Sequence, residues 1–165
     1  HAFVAPLFRG IKYAKGSRFA SGGGSDDISL IRDLGNRFLN GTTNILFRTR
    51  FSDLCYGYNA FWARILPGLE LPDAHVAAVP GKMLWGDGFE IETVLNCRFT
   101  RNRLRITEVP SVEKLRIFGT SNLNAVSDGL RVLRTVLAER ARIAGGAAVE
   151  PDGDFAPAVQ VQAVA

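Results

Sequence analysis

The chain has 165 residues, 47% of them apolar, and a net charge of +4. This composition lies near the average of folded domains and excludes disorder along the whole chain, collagen-like repeats and coiled coils. The length predicts one domain. No apolar run reaches the ~20 residues that span a bilayer, and the first residues show no signal-peptide pattern of a basic start and an apolar stretch.

Residues 1–8 place Phe3, Val4, Leu7 and Phe8 at helical spacing. A chain that opens inside an element is expected to be the carboxyl-terminal portion of something longer. Residues 11–17 are compatible with a β-strand, and Ser21-Gly22-Gly23-Gly24-Ser25 breaks it. Asp26-Asp27 then offers N-cap chemistry to a helix over 28–47. That helix carries apolar residues at 28, 31, 34, 38, 45 and 46, with a bend expected near Gly35 or Gly41. The stripe fits equally a helix packed on a sheet and a helix lying at a bilayer surface through Phe38, Ile45, Leu46 and Phe47.

Residues 53–62 are rich in aromatics and lead to a short helix before Pro67-Gly68, and 67–81 reads as a loop. A helix follows over 89–100, with Ile91, Val94, Leu95 and Phe99 on one face. A half-exposed strand is predicted where Leu104 and Ile106 alternate with Arg103, Arg105 and Thr107, ending at Pro110. Leu123, Val126, Leu130, Leu133 and Val136 mark a last amphipathic helix, and residues from 145 onward have no period and read as a tail. Strands alternating with helices predict an α/β fold. Residues 1–143 form the folded part and 144–165 the flexible C-terminal tail.

Charge is uneven: residues 1–50 carry +5, residues 51–90 carry −3 and the rest +2. The basic excess adjoins the glycine loop and suggests an anionic ligand. Cys55 and Cys97, without a CxxC pair, suit a reducing compartment, and His1 and His75 form no local metal pair. Arg18 follows the first strand, where α/β sheets bind ligands at the strands' carboxyl ends. Arg32 and Asn36 lie four apart on one helix face, so two guanidinium groups, from Arg18 and Arg32, are placed to grip one phosphate. Asp53 stands ahead of Gly57-Tyr58 in an apolar setting that demands partners for a carboxylate. Asp87, Glu90 and Glu92 gather at the start of the helix over 89–100, where its dipole favours them.

Taken together, Gly16-Ser17-Arg18-Phe19, the glycine loop, Arg32 with Gly35-Asn36, Asp53 with Gly57-Tyr58, Gly88-Phe89-Glu90-Ile91-Glu92, Glu108-Val109-Pro110 and Arg116 ahead of Gly119-Thr120-Ser121 resemble family 2 glycosyltransferases of the dolichyl-phosphate or polyprenyl-phosphate sugar synthase type. The resemblance covers residues 11 to about 140. It implies a partial GT-A fold, a mixed sheet flanked by helices that lacks the N-terminal nucleotide-binding strands. It also implies transfer of a sugar from a nucleotide-sugar donor to a polyprenyl-phosphate acceptor, usually with a divalent metal, Mg or Mn. By the same resemblance Arg18 and Arg32 hold the acceptor phosphate, with Asn36 in the acceptor loop. Asp53 and Glu90 belong to the catalytic site, and Arg116 lies near the donor diphosphate. Two departures stand out. Asn122 occupies a position where the pattern usually has Lys. No Asp-x-Asp metal motif precedes residue 26, and the one present, Asp152-Gly153-Asp154, lies in the tail. The metal ligands are therefore expected outside this chain, which reads as the acceptor half of the enzyme.

An ionised lipid phosphate is already a nucleophile, so the protein's expected task is positioning and charge neutralisation. Direct displacement implies inversion at the anomeric carbon. The expected location is cytoplasmic and peripheral, at the inner face of the membrane, without nucleic acid. Two alternatives remain: a non-catalytic anion- or nucleic-acid-binding module using the cluster from Arg98 to Arg105, and a related transferase with another acceptor.

Overall fold

The structure, a computed structural model, describes residues 1–71, 73, 75–77, 88–115, 117–119, 123–144 and 162–163. It is an α/β fold with a small mixed sheet flanked by helices. A short helix, α1 (Ala5–Phe8), leads into strand β1 (Tyr13–Ser17), the two-residue β2 (Gly24–Ser25) and the long helix α2 (Leu30–Phe47). Next come β3 (Asn59–Phe61), a 3-10 helix (Ala63–Leu69), α3 (Ile91–Arg101), β4 (Ile106–Pro110), β5 (Val112–Glu113), α4 (Ala125–Ala144) and β6 (Gln162–Ala163). The main sheet has the order β3-β1-β4-β6, and β2 pairs with β5 in a second, two-stranded sheet. β1 runs parallel to β4 and antiparallel to β3. β6 lies in the part of the chain whose sequence reads as a tail, and it extends the sheet beside β4.

β1 is buried along its whole length and β4 along four of its five residues. The half-exposed strand expected from the alternation around Thr107 is therefore covered on both faces, as central parallel strands are. Tyr13 of β1 stacks on Phe99 of α3, with ring centroids 4.2 Å apart. Around this pair Leu54, Ile65, Leu69, Leu104, Ile106 and Val136 complete the main core. Lys15 is also fully buried, and its Nζ donates to the backbone carbonyls of Gly16, Asp53 and Tyr56. Burial lowers its pKa, with Asp53 and Glu108 pulling it back. The lysine of the basic region thus ties β1 to residues 53–56. Gly16 permits the close approach, since a Cβ there would lie 2.5 Å from the Tyr58 carbonyl oxygen.

Helix α2 is oriented against its own hydrophobic stripe. Leu30, Ile31, Leu34, Phe38 and Ile45 are between 58% and 80% exposed, while Asn36, Asn40 and Thr43 are buried. The cause is a ladder of asparagines at four-residue spacing, which grips residues 51–55. The Asn44 amide donates to the Phe51 carbonyl and accepts from the Phe51 N–H, at 2.9 and 2.8 Å. Asn40 does the same with the Ser52 carbonyl and the Leu54 N–H, both at 2.6 Å. Asn36 donates to the Asp53 carboxylate and accepts from the Cys55 N–H. These primary amides replace the strand partner that residues 51–55 lack, and buried backbone groups are thereby satisfied. Replacing Asn40 with Ala strands two such groups. A loss of about 2–3 kcal/mol is expected, readable in urea unfolding, and a loss below 0.5 kcal/mol would contradict the ladder.

Other local expectations shift in instructive ways. The N-cap of α2 is Ser29 rather than Asp26 or Asp27, and it makes no side-chain cap. Gly35 and Gly41 sit inside one continuous helix. β3 falls in the aromatic run, where no strand was legible. In α4 the core side is Val132, Thr135, Val136 and Glu139, whereas Val126 and Leu130 are exposed. Arg98 of α3, 2% exposed, joins these layers: it donates to Glu139 of α4 at 2.8 Å and to the Leu69 and Glu70 carbonyls.

Candidate functional site

A cleft of about 540 Å³ opens between α2, residues 55–58, the start of α3, the end of β5 and α4. Its size falls in the range of small-ligand sites. Arg18, Arg32 and Asn36 all line it, so the three residues expected at the acceptor phosphate converge on one cavity. They contribute in different ways.

Arg18, at the end of β1, is 7% exposed and closely held. Its Nε and Nη2 donate to the two oxygens of Asp53 at 2.7 and 2.9 Å, and its backbone N–H donates to the same carboxylate at 3.0 Å. Nη1 donates to Glu113 at 2.9 Å, and the guanidinium lies 4.9 Å from the centre of the Tyr56 ring. Burial opposes the charge of Arg18, but the bonds and charges of Asp53 and Glu113 outweigh it and raise its pKa. For Glu113, burial is outweighed in turn by hydrogen bonds from Ser25 and Arg18 and by the charges of Arg18 and Arg32, and its pKa falls. Arg18 is therefore a neutralised cation with fixed geometry.

Arg32 is freer. Its side chain is 21% exposed and contacts Asp27, by a 3.2 Å bond to the carbonyl and a 3.8 Å approach to the carboxylate. Lys114, on the same cleft wall, pairs with Asp26 at 3.3 Å on the surface. The acidic dipeptide after the glycine loop thus faces the accessible cations.

Asp53 and Glu90, expected in the catalytic site, are both fully buried. Asp53 is engaged by Arg18 and Asn36. Glu90, the N-cap of α3, is engaged by Arg131 of α4 at 2.7–2.8 Å. Each carboxylate orients an arginine. Phe89 and Glu92 from the same motif do line the cleft. Arg116 and Asn122 lie outside the described residues. Four residues that hold the site together escaped sequence reasoning. Glu113 and Arg131 stand far from the charges they pair with along the chain and leave no local signal. Asn40 and Asn44 left one, the four-residue spacing from Asn36.

Cys55 borders the cleft, but burial, with the Asp53 charge adding, pushes its pKa up to about 12, so its thiol is inert. Both cysteines are free. Among the described residues no group of three His, Cys, Asp or Glu stands ready to hold a metal ion, and none of their helices is long and apolar enough to cross a membrane. Comparison with protein-family models, curated proteins and solved structures finds no match.

Proposed function

We propose that this chain is the acceptor-side part of a GT-A-type family 2 glycosyltransferase, which moves a sugar from a nucleotide-sugar to a polyprenyl phosphate. One observation carries the reading. The cleft that holds Arg32 borders the uncovered apolar stripe of α2, and Ile31 belongs to both. A ligand with an anionic head and a long apolar tail matches that juxtaposition. The head meets Arg32, with Asn36 beside it and Arg18 behind, and the tail leaves along Ile31, Leu34 and Phe38.

In this reading Arg32 supplies the exchangeable contact, because a phosphate displaces the long, partly solvated 3.8 Å pairing with Asp27. Arg18, locked by Asp53 and Glu113, contributes a fixed field. The attacking group is the ionised phosphate oxygen, with a second pKa of about 6, so no general base is needed. Attack at the anomeric carbon expels the nucleoside diphosphate with inversion. Asp53 and Glu90 act by orienting Arg18 and Arg131, and Arg116 is assigned to the leaving diphosphate. Among the described residues no cluster of His, Cys, Asp or Glu fits a metal ion. The nucleic-acid alternative is not favoured, because Arg98 is spent on Glu139 and the side chain of Arg101, 5% exposed, is spent on Glu70.

The reading places the protein at the cytoplasmic membrane face, with the α2 stripe inserted and Arg37, Arg48 and Arg50, all exposed, set towards anionic headgroups. The chain is expected to float with phosphatidylglycerol-containing vesicles at low salt, and less with pure phosphatidylcholine. Phe38→Glu combined with Ile45→Glu should abolish flotation without loss of fold, since both side chains face solvent. A wild-type chain that stays at the bottom of the gradient contradicts the membrane role.

A further inference from the structure

Three carboxylates line the cleft: Glu92, Glu113 and Asp128. Two of them have evident work. Glu113 is bound by Arg18 and Ser25, and Asp128 accepts the Asn124 N–H at the start of α4. Glu92, on the first turn of α3, differs. Its Oε2 is shielded from solvent and has no hydrogen-bond partner among the described residues. The other oxygen sits against residue 57, where a Cβ would lie 2.5 Å away, so Gly57 keeps the space that Glu92 occupies. Burial raises its pKa and the neighbouring Glu90 adds to this, while its own backbone N–H and the charge of Lys15 oppose the rise. A buried carboxylate oxygen without a donor is costly, and the Glu92 side chain borders a ligand-sized cleft.

We propose that Glu92 is a substrate-contacting residue whose carboxylate accepts a hydrogen bond from a hydroxyl of the sugar being transferred. The inference rests on the cleft being a glycosyl-transfer site, and it adds the contact that the assigned arginines do not make. Those arginines meet phosphate, whereas a neutral polyol needs acceptors. Tyr58 and Phe89, 60% and 45% exposed on the same cleft, supply apolar faces beside that acceptor.

The test uses the intact enzyme, UDP- and GDP-hexoses supplied in turn as labelled donors, and citronellyl phosphate as acceptor. Glu92→Gln should lower kcat about 10-fold and Glu92→Ala about 100-fold, with KM for citronellyl phosphate unchanged. Thermal stability should hold in Glu92→Gln, which keeps the shape. The pH profile separates contact from scaffolding. The groups facing Glu92 are Tyr13 and Lys15 of β1, Cys55, and Glu90 of its own helix. The acceptor form is the ionised one, so wild-type kcat should fall on acidification, along a limb displaced upward from the ordinary glutamate value of 4.5. Glu92→Gln should lose that limb and keep only the separate one set by the acceptor phosphate, whose second pKa is about 6. If this variant keeps both turnover and limb while citronellyl phosphate still receives sugar, the role of Glu92 is overturned and glycosyl transfer stands. If wild type transfers no hexose to citronellyl phosphate, the glycosyl-transfer reading falls and the sugar contact falls with it.

Discussion

Arg32→Ala in the intact enzyme is expected to lower kcat/KM for a polyprenyl-phosphate acceptor by at least about 100-fold, while affinity for the nucleotide-sugar changes little. The magnitude follows from removing a charged donor aimed at an anion inside a partly water-excluded site, where one such contact contributes roughly 2.7–4 kcal/mol. The specificity follows from position. Arg32 faces the cleft from the first turn of α2, and its described hydrogen bond and ion pair are both with Asp27. The ion pair is long, 3.8 Å, and partly solvated, so it contributes less than about 1 kcal/mol to stability, and the melting temperature should barely move. Arg32→Lys should fall between the two enzymes, because it keeps the charge and loses the two-pronged geometry. Turnover of Arg32→Ala equal to wild type would remove the residue from the site.

Asp53→Ala is expected to give the opposite pattern, a structural collapse around the same cleft. Asp53 has no exposure and accepts four hydrogen bonds, three from Arg18 and one from Asn36. Its removal leaves a buried guanidinium with Glu113 as its remaining carboxylate, and breaking one side of a buried pair costs about 3–5 kcal/mol. For a chain of this length that corresponds to a drop of roughly 10 °C in Tm. Asp53→Asn should be nearly as damaging, since its amide nitrogen would face donors. A double-mutant cycle with Arg18→Ala should show a coupling of about 1–3 kcal/mol, because the second truncation removes the charge that the first left unpaired. Additive losses would mean that Arg18 and Asp53 contribute independently.

The two variants separate roles that the chain itself does not distinguish. Arg18 and Arg32 read alike in sequence, as basic residues near a glycine loop. Their difference comes from partners 35 and 95 residues away from Arg18, namely Asp53 and Glu113. No local pattern encodes which arginine will be neutralised and which left accessible. The same holds for Glu90 and Glu92, two residues apart at one helix start, one buried on Arg131 and the other on the cleft wall.

Secondary structure was more legible. α2, α3, β4 and α4 each coincide with a segment whose period identified it, β1 lies in a segment compatible with a strand, and their order implied the α/β class. β3 was not, because its three residues sit in an aromatic run without alternation and take their extended form from pairing with β1. In α2 the hydrophobic period located the helix but left open whether its stripe packs on the sheet or faces outward. Asn36, Asn40 and Asn44 hold the backbone of residues 51–55, and that hydrogen bonding turns the apolar stripe outward.

By itself the sequence therefore determined where the long helices and the two central strands form, the α/β class and the short roster of charged residues able to handle an anion. Each of these depends on neighbours within a turn or a strand. The tertiary structure alone decided which face of α2 is covered, which arginine is pinned and which carboxylate lacks a donor. Those outcomes depend on groups brought together across tens of residues, where burial makes an unmet charge or hydrogen bond too costly to leave to chance.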